Sequence, residues 1–160
     1  MSVTSNPAIA QLLNLLATTA SRIAAASRSH THAQLHFKPD ENTWSANDVL
    51  AHLRACADVW GKSIGTMIAQ DHPTIRYVSP RTWIRKTDYP EQAFDLSLHA
   101  FIQQREDLLR ALRVLDHPGW LRGATFTATT SGRSRTVLSY AQRITQHEGE
   151  HCEQIEALLK

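Results

Sequence analysis

Apolar residues recur at helical spacing in four stretches of the chain. The first follows Pro7, a residue suited to an opening helical turn behind Ser5-Asn6. Ile9, Leu12, Leu13, Leu16, Ala20 and Ile23 make its stripe, and the pattern ends in Ser27-Arg28-Ser29. The second is expected to start behind Ser45, an N-cap residue with Asp48 three positions on, a capping-box-like pair. Its stripe is Val49, Leu50, Leu53, Cys56, Trp60, Ile64 and Met67, with His52 on the edge. The third is predicted to begin at Pro90 and presents Phe94, Leu98, Phe101, Leu108, Leu109 and Leu112, with Arg105 near the middle of that stripe. The last runs from about Thr136 to Leu159, marked by Val137, Ala141, Ile144, Ile155 and Leu159. At roughly 100° per residue, Glu148 points close to the centre of this apolar face, and His147 and His151 flank it on one side.

The intervening segments read as connections. Residues 29–44 contain Pro39-Asp40 and the histidines His30, His32 and His36, which are expected to be solvated. Residues 71–90 are predicted to be a loop punctuated by Pro73, Pro80 and Pro90, whose Tyr77, Trp83 and Tyr89 should pack down onto the protein. Within 116–135, His117-Pro118-Gly119-Trp120 reads as a turn, Thr125 to Thr130 are β-prone, and Ser131-Gly132 suits the turn of a short hairpin. Four helices with two long crossings and no convincing sheet predict an all-α, four-helix bundle with long crossover connections. Residues 1–160 are expected to form a single domain.

Composition adds mainly exclusions. Hydrophobic content of 42% and charged content of 20% are ordinary for a globular protein. A net charge of +2 with no basic block gives no reason to expect nucleic acid as a partner. No run of roughly eighteen apolar residues predicts a membrane span, and the first residues do not read as a secretory signal. Two cysteines, Cys56 and Cys152, are too few and too far apart for a disulfide framework. They are expected as small core residues in a reducing cytoplasm.

The chemistry concentrates in His147-Glu148-Gly149-Glu150-His151. Residues i and i+4 share a helix face, so two neutral imidazoles spaced this way can bind one divalent metal. The string fits the H-E-x-x-H pattern of zinc proteases. Those enzymes generally draw a third ligand from downstream, whereas here Cys152 to Lys160 continue the same helix. A third ligand must come from upstream. A histidine on the edge of an apolar stripe is most often an ordinary core residue. His52 taken with the pair nevertheless makes a three-histidine face with positions left open, as in catalytic rather than closed structural sites. His99 lies off its stripe, and His72 and His117 precede prolines in connections. Glu148 is open to a role at the metal, but pairing with Arg105 across the core is preferred, because each charge otherwise lacks a partner on an apolar face.

Two motifs resemble the DinB/YfiT-like superfamily. Trp44-Ser45-Ala46-Asn47-Asp48-Val49-Leu50-Ala51-His52-Leu53 fits its W-S-x-x-x-V-L-x-H-L pattern. His147-Glu148-Gly149-Glu150-His151-Cys152-Glu153-Gln154-Ile155 fits H-x-x-x-H-x-x-Q-I. The resemblance implies a four-helix bundle holding a divalent metal, nickel or zinc, on His52, His147 and His151. It implies a small-molecule substrate and, among members with assigned activities, transferases and isomerases that use mycothiol, bacillithiol or glutathione. The expected function is therefore metal-dependent transfer of a low-molecular-weight thiol, or an isomerisation using one. Hydrolysis by metal-activated water and a non-catalytic, metal-braced binding module are the alternatives, and a homodimer is left open. Segment 123–135 corresponds to no functional feature of the family.

Overall fold

The computed structural model describes residues 6–130 and 133–160. Four long helices form the body: α1 (Pro7–Ser27), α3 (Ala46–Ala69), α5 (Phe94–Arg113) and α7 (Val137–Leu158). Local chemistry sets their starts. Asn6 caps α1 ahead of Pro7, Ser45 and Asp48 form a complete capping box on α3, and Thr136 and Ser139 do the same for α7. Helices α1 and α3 each pack against both α5 and α7, so α1 lies diagonal to α3 and α5 diagonal to α7. That arrangement makes α3 and α7 neighbours although about seventy residues separate them.

The core divides into two apolar clusters. One gathers Leu12, Leu16, Trp60, Ile64, Leu112, Trp120 and Ile144. The other gathers Ile23, Val49, Leu50, Leu53, Phe101 and Ile155. Between them runs a polar waist, where Arg105 of α5 donates to Glu148 of α7 across the middle of the bundle. Both side chains are almost wholly buried, at 3% and 2% exposure. Burial pulls the Arg105 guanidinium down to about 10, still high enough to stay charged at neutral pH.

Several expectations need correcting, among them the loop at 71–90, which holds a strand and a short helix, and the turn at His117–Trp120, which is a short helix. The connection after α1 contains a short helix, α2 (His32–His36), capped by Thr31 and Gln34 and anchored by buried Leu35. His30 and His36 are consequently half-buried rather than solvated, with His30 Nε2 2.9 Å from the Leu159 carbonyl. The long third helix begins at Phe94, not Pro90. Pro90 lies in a 3₁₀ turn, Tyr89–Glu91, and the carbonyls of Pro90 and Gln92 accept from Asn47 Nδ2 at 3.3 and 3.2 Å, so they are spent on α3. Finally, the hairpin expected within 116–135 belongs to a small three-stranded sheet that was not expected. Strand β1 (Thr74–Arg76) pairs in parallel with β2 (Gly123–Thr127), and β2 pairs antiparallel with β3 (Ser134–Thr136). A Cβ on Gly123 would meet the Arg135 carbonyl at 3.0 Å, which explains the glycine there. The turn expected at Ser131-Gly132 lies outside the described residues. The sheet, with buried Ala124, Phe126 and Trp120 of the short helix α6 (His117–Trp120), closes one end of the core and feeds β3 directly into α7.

The segment between β1 and α5 matters for the site. It carries α4 (Pro80–Ile84) behind the cap Ser79. Asp58 of α3 pins it, accepting from Trp83 Nε1 at 2.9 Å and from the Tyr89 hydroxyl at 2.7 Å. Gln104 of α5 donates to the same carboxylate at 2.6 Å. Arg54 lies over the Tyr89 ring, 3.7 Å from its centroid, and donates to Gln92 at 2.7 Å.

Candidate metal centre

The seam between α3 and α7 brings the three sequence-predicted histidines together. His52 projects from the second turn of α3; His147 and His151 project from successive turns of α7. Nε2 of His147 lies 3.3 Å from Nε2 of His52 and 3.1 Å from Nε2 of His151. One ligand atom from each of the three falls within 4.8 Å of the others. Imidazoles bound to a tetrahedral zinc at ~2.0–2.1 Å would hold their nitrogens ~3.3 Å apart. Two of the three separations already suit a shared ion.

The hydrogen bonding around the rings makes the same point. His151 Nδ1 lies 2.8 Å from Gln154 Oε1, an acceptor, so the neutral ring carries its proton on Nδ1 and turns a bare lone pair inward at Nε2. Cys56 Sγ lies 3.4 Å from His52 Nε2. Burial pushes that thiol up to about 12, so it keeps its proton rather than competing as a thiolate. His147 has one Nε2 with which to face both neighbours, and its buried Nδ1 has no protein partner. Three ring nitrogens thus converge with at least the His151 lone pair turned inward, an arrangement that suits a cation. The donor set fits a divalent metal such as nickel or zinc, both served by imidazole.

Burial, then the neighbouring His151, then Arg81, lower His52 to about 4. Burial, then His151, His52 and Arg143, lower His147 to about 3. Both rings are thus neutral, the ligand form, throughout the neutral range. Aromatic walls hold them: Trp44 lies 5.1 Å from the His52 ring centroid, and Trp60 meets His147 edge-on at 4.8 Å.

In front of the triad opens a cleft of about 530 Å³, lined by Asn42, Thr43, Trp44 and Arg81 around the three histidines and Gln154. Of these, the sequence motifs contain the histidines, Trp44 and Gln154, whereas Asn42, Thr43 and Arg81 were not singled out. The available signal for Arg81 was Ser79-Pro80, a helix-start pair inside what reads as loop. Glu148, the glutamate of the H-E-x-x-H string, faces away from the cleft and is committed to Arg105. Cys152 is buried at the α1 seam, where its thiol donates to the Thr19 carbonyl at 3.8 Å. His99 and the remaining histidines take no part among the described residues.

A family model described as the DinB superfamily matches residues 7–155. Among solved structures, the chain is similar to YfiT from Bacillus subtilis, described as "a probable metal-dependent hydrolase with an unusual four-helix bundle topology". The TM-score is 0.83 at 18% identity, covering 96% of this chain and 87% of that one. At this identity the likeness establishes the shared four-helix bundle. No curated protein matches the chain by sequence.

Proposed function

This chain belongs to the DinB superfamily, and from that premise we propose that residues 1–160 act as one metal-dependent enzyme domain whose ligands are His52, His147 and His151. The reaction we assign is transfer of a low-molecular-weight thiol to an electrophile, or an isomerisation that uses such a thiol. The observation that carries the reading is a cluster of three neutral, converging imidazoles at the floor of an open cleft. Bound there, a divalent cation supplies Lewis acidity, lowering the pKa of a weak acid that takes the open position.

The chain's own residues divide the remaining work. Gln154 fixes the tautomer of His151, so that ring presents its Nε2 lone pair toward His147. Trp44 forms an apolar wall against which the body of a substrate can lie. The cleft supports catalysis over a metal that merely braces two helices, because a bracing site needs no open face. The choice of thiol chemistry over hydrolysis rests on the motif resemblance to superfamily members that use such thiols, since a bound cation would activate water as well as a thiol. Hydrolysis remains the second reading, supported by the description of YfiT.

The test is a panel of mycothiol, bacillithiol, glutathione and coenzyme A with generic electrophiles and metal-loaded protein. Turnover that requires one of the thiols supports the assignment. Equal turnover without thiol selects hydrolysis, and no turnover, with no thiol-dependent spectral change at a cobalt- or nickel-substituted site, selects the bracing module. Both free cysteines are buried, consistent with the reducing cytoplasm proposed for such chemistry. No helix among the described residues is long and apolar enough to cross a membrane.

A further inference from the structure

The cleft over the histidines carries positive charge that the protein does not neutralise. It continues past Trp44 and His52 into an adjoining hollow of about 490 Å³ bordered by Lys38, Asp48, Arg81 and Arg85. The one carboxylate there, Asp48, is already occupied. It accepts from the Ser45 backbone N–H and hydroxyl, each at 2.9 Å, and from Lys38 at 3.1 Å. The exposed side chains of Arg81 and Arg85 have no hydrogen-bond or ion-pair partner among the described residues. Arg81 lines both hollows.

Its position is built rather than incidental. Pro80, immediately before it, is buried, and Trp83, two residues on, is tied to Asp58 at 2.9 Å. The backbone of α4 is therefore fixed on α3 while the guanidinium is left free over the cleft. Three neutral ligands would also leave a divalent ion's charge uncompensated. A neutral reactant would leave all of this charge unmatched. An anionic one would meet it at two points, with a planar guanidinium suited to carboxylate, sulfonate or phosphate oxygens.

We propose that the small molecule handled at this site carries an anionic group bound by Arg81, in addition to the atom that faces His52, His147 and His151. The assignment rests on the reading of those histidines as a metal centre. Trp44, which lines both hollows, packs against the rest of the molecule.

The probes are 2-mercaptoethanesulfonate and 2-mercaptoethanol, thiols of the same length that differ in charge. Sulfonate is a poor metal ligand, so chelation does not confuse the comparison. A thiolate ligates a divalent metal whichever reaction the site performs, so the experiment does not depend on the thiol assignment. Each is titrated into cobalt-loaded protein and followed by the visible cobalt bands. The sulfonate should bind wild type about tenfold tighter, the scale of one charge-assisted hydrogen bond in a partly exposed cleft, and the gap should narrow with added salt. Arg81→Gln should erase the preference and Arg81→Lys should keep part of it. Arg143→Gln, which removes an exposed cation lining a different hollow, should retain it. Equal affinity of the two thiols for wild type overturns the proposal. So does an undiminished preference in Arg81→Gln, or an equal loss in Arg143→Gln, which would indicate only a general field. Cobalt bands recorded before any thiol is added separate the two failures: wild type that takes up no cobalt contradicts the metal reading, and the Arg81 assignment with it.

Discussion

Gln154 is the residue whose importance rests on a single contact. Its side-chain oxygen, 2.8 Å from His151 Nδ1, decides which nitrogen of that ring faces the other two histidines. Replacing such an outer partner typically costs about 10–100-fold in metal affinity. Gln154→Ala should fall in that range in a competition titration against a chromophoric chelator, and Gln154→Glu, which keeps an acceptor, should lose less. Unchanged affinity in Gln154→Ala would show that packing alone orients His151. The depressed histidines make a second prediction. In the unfolded chain they titrate near ~6.5, whereas folded His52 and His147 do so at about 4 and about 3. Between those limits the unfolded state binds protons that the native state does not. Metal-free protein should therefore keep this contribution above pH ~6.5 and lose it steadily as pH falls toward 3. Urea midpoints measured from pH 7 to 4 should decline, and the decline should be shallower in a His52→Ala, His147→Ala double variant. Proton competition for bound metal at these two rings should likewise set in well below the pH of an unperturbed imidazole.

At the level of elements, the Arg105–Glu148 pair joins α5 to α7, and the Asp58 cluster joins the 80–92 segment to α3. Removing one partner of a buried ion pair typically costs about 3–5 kcal/mol, because the other charge is stranded. Arg105→Met and Glu148→Leu should each destabilise on that scale, and the double variant should lose clearly less than the sum. Additive losses would mean the two charges act independently. Asp58→Asn weakens the anchoring of Trp83 and Tyr89, so amide exchange should quicken in 80–92 while the buried turns of α3 stay protected. Uniform quickening would point instead to global destabilisation. The long helices were legible because their information is local: a 3.6-residue stripe and a capping box lie within one segment. Their starts were legible where a cap is local, as at Ser45, and not at α5, where Asn47 of another helix takes the carbonyls of Pro90 and Gln92. The parallel pairing of Thr74–Arg76 with Gly123–Thr127 is set by partners about fifty residues apart, and three-residue strands leave little periodicity to read. Capped by Thr31 and Gln34, α2 is too short for an amphipathic stripe.

In the whole molecule, two apolar clusters are separated by a waist that holds the ion pair inside and the histidines at its rim. Two members of the triad could be read together because i,i+4 spacing is local. The third required α3 to neighbour α7, which the motif resemblance implied and the packing displays. Arg81 could not be read from sequence, because its place over the cleft comes from α4 being tied to α3. The central claim is that His52, His147 and His151 together bind one divalent metal. The most direct measurement is the metal content and affinity of protein prepared without a histidine tag, for wild type and for His52→Ala, with circular dichroism confirming that the variant keeps its helical fold. One metal per wild-type chain and loss of tight binding in the folded variant are expected. Unchanged stoichiometry and affinity in His52→Ala would contradict that claim.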